Sequence, residues 1–61
     1  MLTHAEMAEL SNLFHLARVA LADRPVERQS RYDRKLWAAS EFIKTHPHIS
    51  HKQAYLAFER Q

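Results

Sequence analysis

Three imidazoles fall within six residues in His46-Pro47-His48-Ile49-Ser50-His51, and imidazole is a common ligand for zinc, copper and nickel. No cysteine or neighbouring acid completes a tetrahedral set, and Pro47 stiffens the spacing. The pattern therefore predicts no metal site, and nothing in the sequence calls for a cofactor. Nucleophilic catalysis needs a nucleophile beside a base, and general acid–base work needs paired carboxylates on one face. Neither pattern occurs, since Ser40 and His46 lie six residues apart on one helix and do not face each other. The expectation is a protein that is not an enzyme.

What remains is surface chemistry. Arg24, Arg28, Arg31 and Lys35, with Arg34 at their flank, carry five positive charges against Glu27 and Asp33, inside a chain whose net charge is only +2. Such a row can grip an acidic protein surface or lie along a phosphate backbone. Glu27 stands four residues before Arg31, the spacing of an intrahelical pair, which would leave Arg28 and Lys35 as the freer charges. Trp37 and Phe42 follow the row, and Trp and Arg are the residue types enriched at interface hot spots. Arg24, Arg28, Arg31, Arg34, Lys35, Trp37 and Phe42 are thus the candidate partner-binding residues.

The elements that must position these groups are helical. Glycine is absent, and the nine alanines with few β-branched residues favour helix over strand. The lack of glycine also removes phosphate-cradling loops. No cysteine is available for disulfides, no apolar run is long enough to span a bilayer, and no signal-peptide pattern opens the chain. A soluble, cytoplasmic protein without a membrane partner is expected. Sixty-one residues suffice for one helical domain, and a core of that size is marginal without a partner subunit.

A first helix is predicted over about residues 3–22, opened by a capping box between Thr3 and Glu6 with Leu2 stapled onto Met7. Its seam is Met7, Leu10, Phe14, Ala17 and Leu21; Leu13, Leu16 and Ala20 widen the apolar arc, and Ser11, His15 and Arg18 form a solvated side. Pro25 suits a first helical position, so a second helix is predicted over about 25–46. Its seam would be Gln29, Tyr32, Leu36, Ala39, Ile43 and His46, with the basic row and Phe42 on the neighbouring face and Trp37 off both rows. A short connection predicts an antiparallel helical hairpin that sets Ala17 against Tyr32, Phe14 against Leu36, Leu10 against Ala39, Met7 against Ile43 and Thr3 against His46. A second capping box, Ser50 with Gln53, opens a short third helix over about 51–60, docking through Ile49, Ala54, Tyr55 and Phe58 near Phe42 while Leu56 points elsewhere.

The fold expected is all-α, a hairpin plus a short C-terminal helix. Leu13, Leu16, Ala20 and Trp37 exceed what the seam covers, which predicts a homodimer interface there. At Ser30-Arg31-Tyr32, Leu36-Trp37-Ala38-Ala39, Phe42, His46-Pro47 and Tyr55 the chain resembles small helical early proteins of temperate bacteriophages, of the anti-quorum-sensing type. The resemblance covers about half of the chain. It implies a dimer of helical hairpins that binds and blocks host proteins, among them a transcription regulator and a pilus-assembly ATPase, and it transfers no contact residues. The functional expectation is a small protein–protein interaction module that inhibits a host regulatory protein. The alternative is a DNA-binding regulator using the basic row or the third helix, whose opening His51, Lys52 and Gln53 would face base edges.

Overall fold

A computed structural model of the chain describes residues 2–59, the side chain of Arg28 excepted. Three helices occur among them, α1 (His4–Ala20), α2 (Arg31–Thr45) and α3 (His51–Phe58), with a 3-10 turn at Val26–Arg28 and no strand. The predicted C-terminal end of the third helix at Arg60 lies outside the described residues.

Both predicted capping boxes form. The Thr3 N–H donates to Glu6 Oε1 at 2.8 Å while the Glu6 N–H donates to Thr3 Oγ1 at 3.1 Å. Ser50 and Gln53 repeat the exchange at 3.0 and 3.1 Å. Each box satisfies two donors that a helix start otherwise leaves unpaired.

The second helix begins later than expected. Pro25 opens only the 3-10 turn, and α2 starts after Ser30, whose Oγ accepts the Asp33 N–H at 3.2 Å. The Gln29 side-chain amide, expected on the helical seam, instead donates to the carbonyls of Ala22 and Arg24 and ties the connection back to the end of α1. At the other end Pro47 disfavours helical backbone at His46, which takes φ −132° and ψ 66° and closes α2. No described residue has a positive φ, as suits a chain without glycine.

α1 packs on α2, and α2 packs on α3. The core cluster is Leu10 from α1, Ala38, Ala39 and Phe42 from α2, Ile49 from the connection, and Ala54, Ala57 and Phe58 from α3. Ala17 and Leu21 are buried as well. Small residues at 38, 39, 54 and 57 let the helices approach closely, and the rings of Phe42 and Phe58 fill the space between them. α3 lands where expected, with Phe42 and Ile49 in one cluster, and Leu56 is 44% exposed.

The inward face of α2 is rotated from the expected seam. Phe42, expected on the face neighbouring the seam and as a contact for a partner, has no exposed surface. Tyr32, expected beneath Ala17, is 58% exposed and meets Tyr55 edge-on at 5.9 Å. The reason is that α2 serves two neighbours at once. The Ala38 and Phe42 side must face inward with Ala39, and that turn of the helix carries Tyr32 out of the α1 contact.

Candidate interaction surfaces

The basic row does not stay a row. Arg24 is exposed in the connection and pairs weakly with Asp23 at 4.0 Å. Arg31 is exposed at the first position of α2, and it is not paired with Glu27. Arg34 is half-buried, its guanidinium 5.3 Å from the centre of the Phe14 ring and its Nε buried with no hydrogen-bond partner. Lys35, expected to be one of the freer charges, has only 17% of its side chain exposed; it reaches Glu59 at 3.9 Å and lies 5.9 Å from the Phe58 ring. Its stem covers the core while its charge is answered by α3. The Arg28 side chain lies outside the described residues, so Arg24 and Arg31 are the described members of the row that present charge to solvent.

Among the described residues, Phe42 is the one proposed contact that burial removes from any surface. Its ring stacks on His46 at 4.1 Å and 8°, and the arrival of α3 covers the face on which it stands. Trp37 is half-buried and packs against the core, as does Leu13. Neither is left without intramolecular partners, as the hairpin seam alone had suggested. Leu16 at 55% and Ala20 remain exposed on α1, and Val19 beside them is 77% exposed.

The histidine segment gains partners that no local spacing announced. His46 Nε2 lies 3.2 Å from Glu9 Oε2, and His46 Nδ1 lies 3.1 Å from the Phe42 carbonyl and 3.0 Å from Thr45 Oγ1. His48 Nε2 is 3.7 Å from Glu6 Oε2. The carboxyl of Glu6 is held below the ordinary glutamate range, first by the Thr3 N–H, against an opposing effect of burial, and then by the Thr3 hydroxyl and the two histidines. Two acids and two imidazoles thus tie the opening of α1 to the α2–α3 connection. Even so, no three His, Cys, Asp or Glu among the described residues are placed to hold a metal ion.

Beside this cluster a groove of about 710 Å³ runs between the start of α1 and the outer side of α3. Leu2, Met7, Ile49, Leu56 and Ala57 make its apolar lining, and Glu6, His48 and Gln53 supply polar groups.

Ser40 and His51 form a pair that sequence spacing had not suggested. Their side chains meet at 3.1 Å across the α2–α3 contact. The bond holds the first turn of α3 against α2. It also removes His51 from the residues free to read a DNA base edge, and Gln53 is committed to the Ser50 N–H. Lys52 alone of that trio is left exposed without such a bond.

The long-range partners of Arg34, Lys35, His46 and His51 all lie far away in the chain, and no local pattern marks them. Burial of Tyr55 against its surroundings raises its phenol above the ordinary tyrosine range, with Glu59 and Tyr32 adding to the effect.

No family model matches the chain, and no curated protein or solved structure matches it. Among the described residues, no helix is long and apolar enough to cross a membrane.

Proposed function

We propose that this chain is a small non-enzymatic interaction module, a homodimer of antiparallel helical hairpins that works by occupying the surface of a protein partner. The observation that carries the reading is how many large apolar side chains so small a molecule leaves exposed. Val26 at 84% and Tyr32 at 58% are more than half exposed around the connection, where Arg24 and Arg31 are exposed as well, while Leu16 at 55% and Val19 at 77% leave the outward side of α1 open to a second copy. Large apolar patches on small proteins tend to mark interaction sites, and arginine beside apolar and aromatic groups is the composition of interface hot spots. The contacts of Glu9 with His46 and of Phe14 with Arg34 support an antiparallel α1 and α2. The bacteriophage resemblance supports the narrower reading, an inhibitor of a host regulatory protein in the cytoplasm.

The test is competitive. The wild-type chain and a Val26→Glu, Arg31→Glu variant with unchanged helix content are used to capture proteins from a host lysate. The expected result is a discrete protein retained by the first and lost by the second. Equal retention by both would overturn the assignment of this surface. Steeply salt-dependent retention on generic duplex DNA, with no protein captured, would favour the nucleic-acid alternative.

A further inference from the structure

The outward side of α1 carries an uncharged row. Ala5, Ala8, Asn12, Leu16 and Val19 recur in steps of three and four and are all exposed, so one line of the helix faces away from the core without a single ionisable group. The order of side chains along it is the notable feature. Ala8 and Leu16 stand four residues on either side of Asn12, and Ala5 and Val19 stand seven on either side. Reversed end for end about Asn12, the row therefore sets each large side chain opposite a small one.

We infer that this row is the two-fold interface of the chain, with α1 packed antiparallel on α1 of a second copy and the two Asn12 residues meeting at the axis. The inference rests on the homodimer reading above and locates its contact. Leu16 enters the space over the partner's Ala8, and Val19 the space over the partner's Ala5. The same two contacts recur in reverse, as an isologous interface requires. The alanines permit close approach of the helices, and large-on-small layers are how helices interdigitate at native density. A carboxamide is its own complement, offering an N–H donor and a carbonyl acceptor, so two Asn12 side chains can exchange hydrogen bonds across the axis. A polar residue at one such position also fixes register and orientation. No charge on the row meets a like charge, and the flanking Glu9 is already held by His46 of its own chain. Leu13 and Trp37, half-buried against the core, lie off this line, which moves the interface away from them and onto Ala5, Ala8, Asn12, Leu16 and Val19.

The chain has no cysteine, so single cysteines report the contact without background. Axes about 8–10 Å apart bring Cα atoms at the two-fold to about 3.4–5.4 Å, a range that overlaps the span of a disulfide. The two copies of position 5 would stand about 21 Å apart along the pair, well beyond that reach. In a glutathione redox buffer Asn12→Cys should form a disulfide-linked dimer. Ala5→Cys and Val19→Cys should each stay single alone and cross-link when mixed. Lys52→Cys, exposed on α3, should remain uncross-linked. Self-linking of Ala5→Cys as complete as that of Asn12→Cys would overturn the antiparallel arrangement, and equal linking of Lys52→Cys would reduce the contact to collision and overturn it too. Light scattering of the wild type separates the two levels of failure. A dimer mass with Asn12→Cys unlinked sinks this interface and leaves the homodimer reading standing, whereas a monomer mass sinks both.

Discussion

Where α2 runs into α3, Phe42, Ile49 and Ala54 are buried, His46 stacks on Phe42, and Glu6 and Glu9 reach across to His48 and His46. Where α1 gives way to the connection, Val19, Val26 and Tyr32 face solvent, and the side-chain hydrogen bonds that hold the turn come from Gln29. One end uses its large side chains to build the core and surrounds them with polar links between helices. The other end leaves large side chains uncovered beside the exposed Arg24 and Arg31. The difference separates a stability-bearing end from an end suited to binding, and substitutions should divide the same way.

Phe42→Ala should give the largest loss. A fully buried ring at the centre of the core cluster leaves a cavity on truncation, at about 3–5 kcal/mol, which for a domain of this size is most of its stability. Urea titration followed by circular dichroism should find the variant largely unfolded, and a midpoint unchanged from wild type would mean that Phe42 is not where the core is.

His46→Ala should come next. It removes the stack on Phe42, the contact with Glu9 and the group that meets the Phe42 carbonyl at the end of α2, for about 1–3 kcal/mol. A matching loss for Gln29→Ala at the opposite end would erase the contrast. Leu16→Glu, by comparison, should change the melting temperature of the isolated fold little, within about 0.5 kcal/mol for an exposed site, while abolishing self-association. A severe loss of helix in this variant, measured at low concentration, would place Leu16 in the core.

The smallest expected effect is on pH. Because the folded-state value of Glu6 lies below its unfolded value, its contribution is complete above the ordinary glutamate range, about 4.3, and is lost as pH falls through the lowered folded value. Glu6→Gln keeps an acceptor for the Thr3 N–H and removes the titration. Its melting temperature should therefore fall less than that of the wild type between about pH 6 and about pH 3, and parallel profiles would show that Glu6 is not linked to folding.

What the sequence made legible is what short spacing controls. Both capping boxes, the start of α1 and α3, the stop at Pro47, and the burial of Ile49 and Phe58 all follow from interactions within a turn or from one apolar stripe. The start of α2 comes later than Pro25 predicts because proline can open a 3-10 turn as well as an α-helix, and only the fold shows that Gln29 is needed to hold the connection. The orientation of α2 was misread for a related reason. Periodicity finds rows at helical spacing but does not say which of two adjacent rows turns inward when a second neighbour arrives, so Tyr32 reads as part of the α1 seam and Phe42 as part of the neighbouring row. On the surface, Leu16 and Ala20 were recognised as excess apolar groups, while the capture of Lys35 by Glu59 and of Arg34 by the Phe14 ring depends on residues distant in the chain.

Self-association is best tested by light scattering of the full chain across a micromolar concentration series, with thermal melts of the same samples. A mass of twice the chain's 7.2 kDa and a melting temperature that rises with concentration are expected. A mass of 7.2 kDa throughout, with a melting temperature independent of concentration, would contradict it.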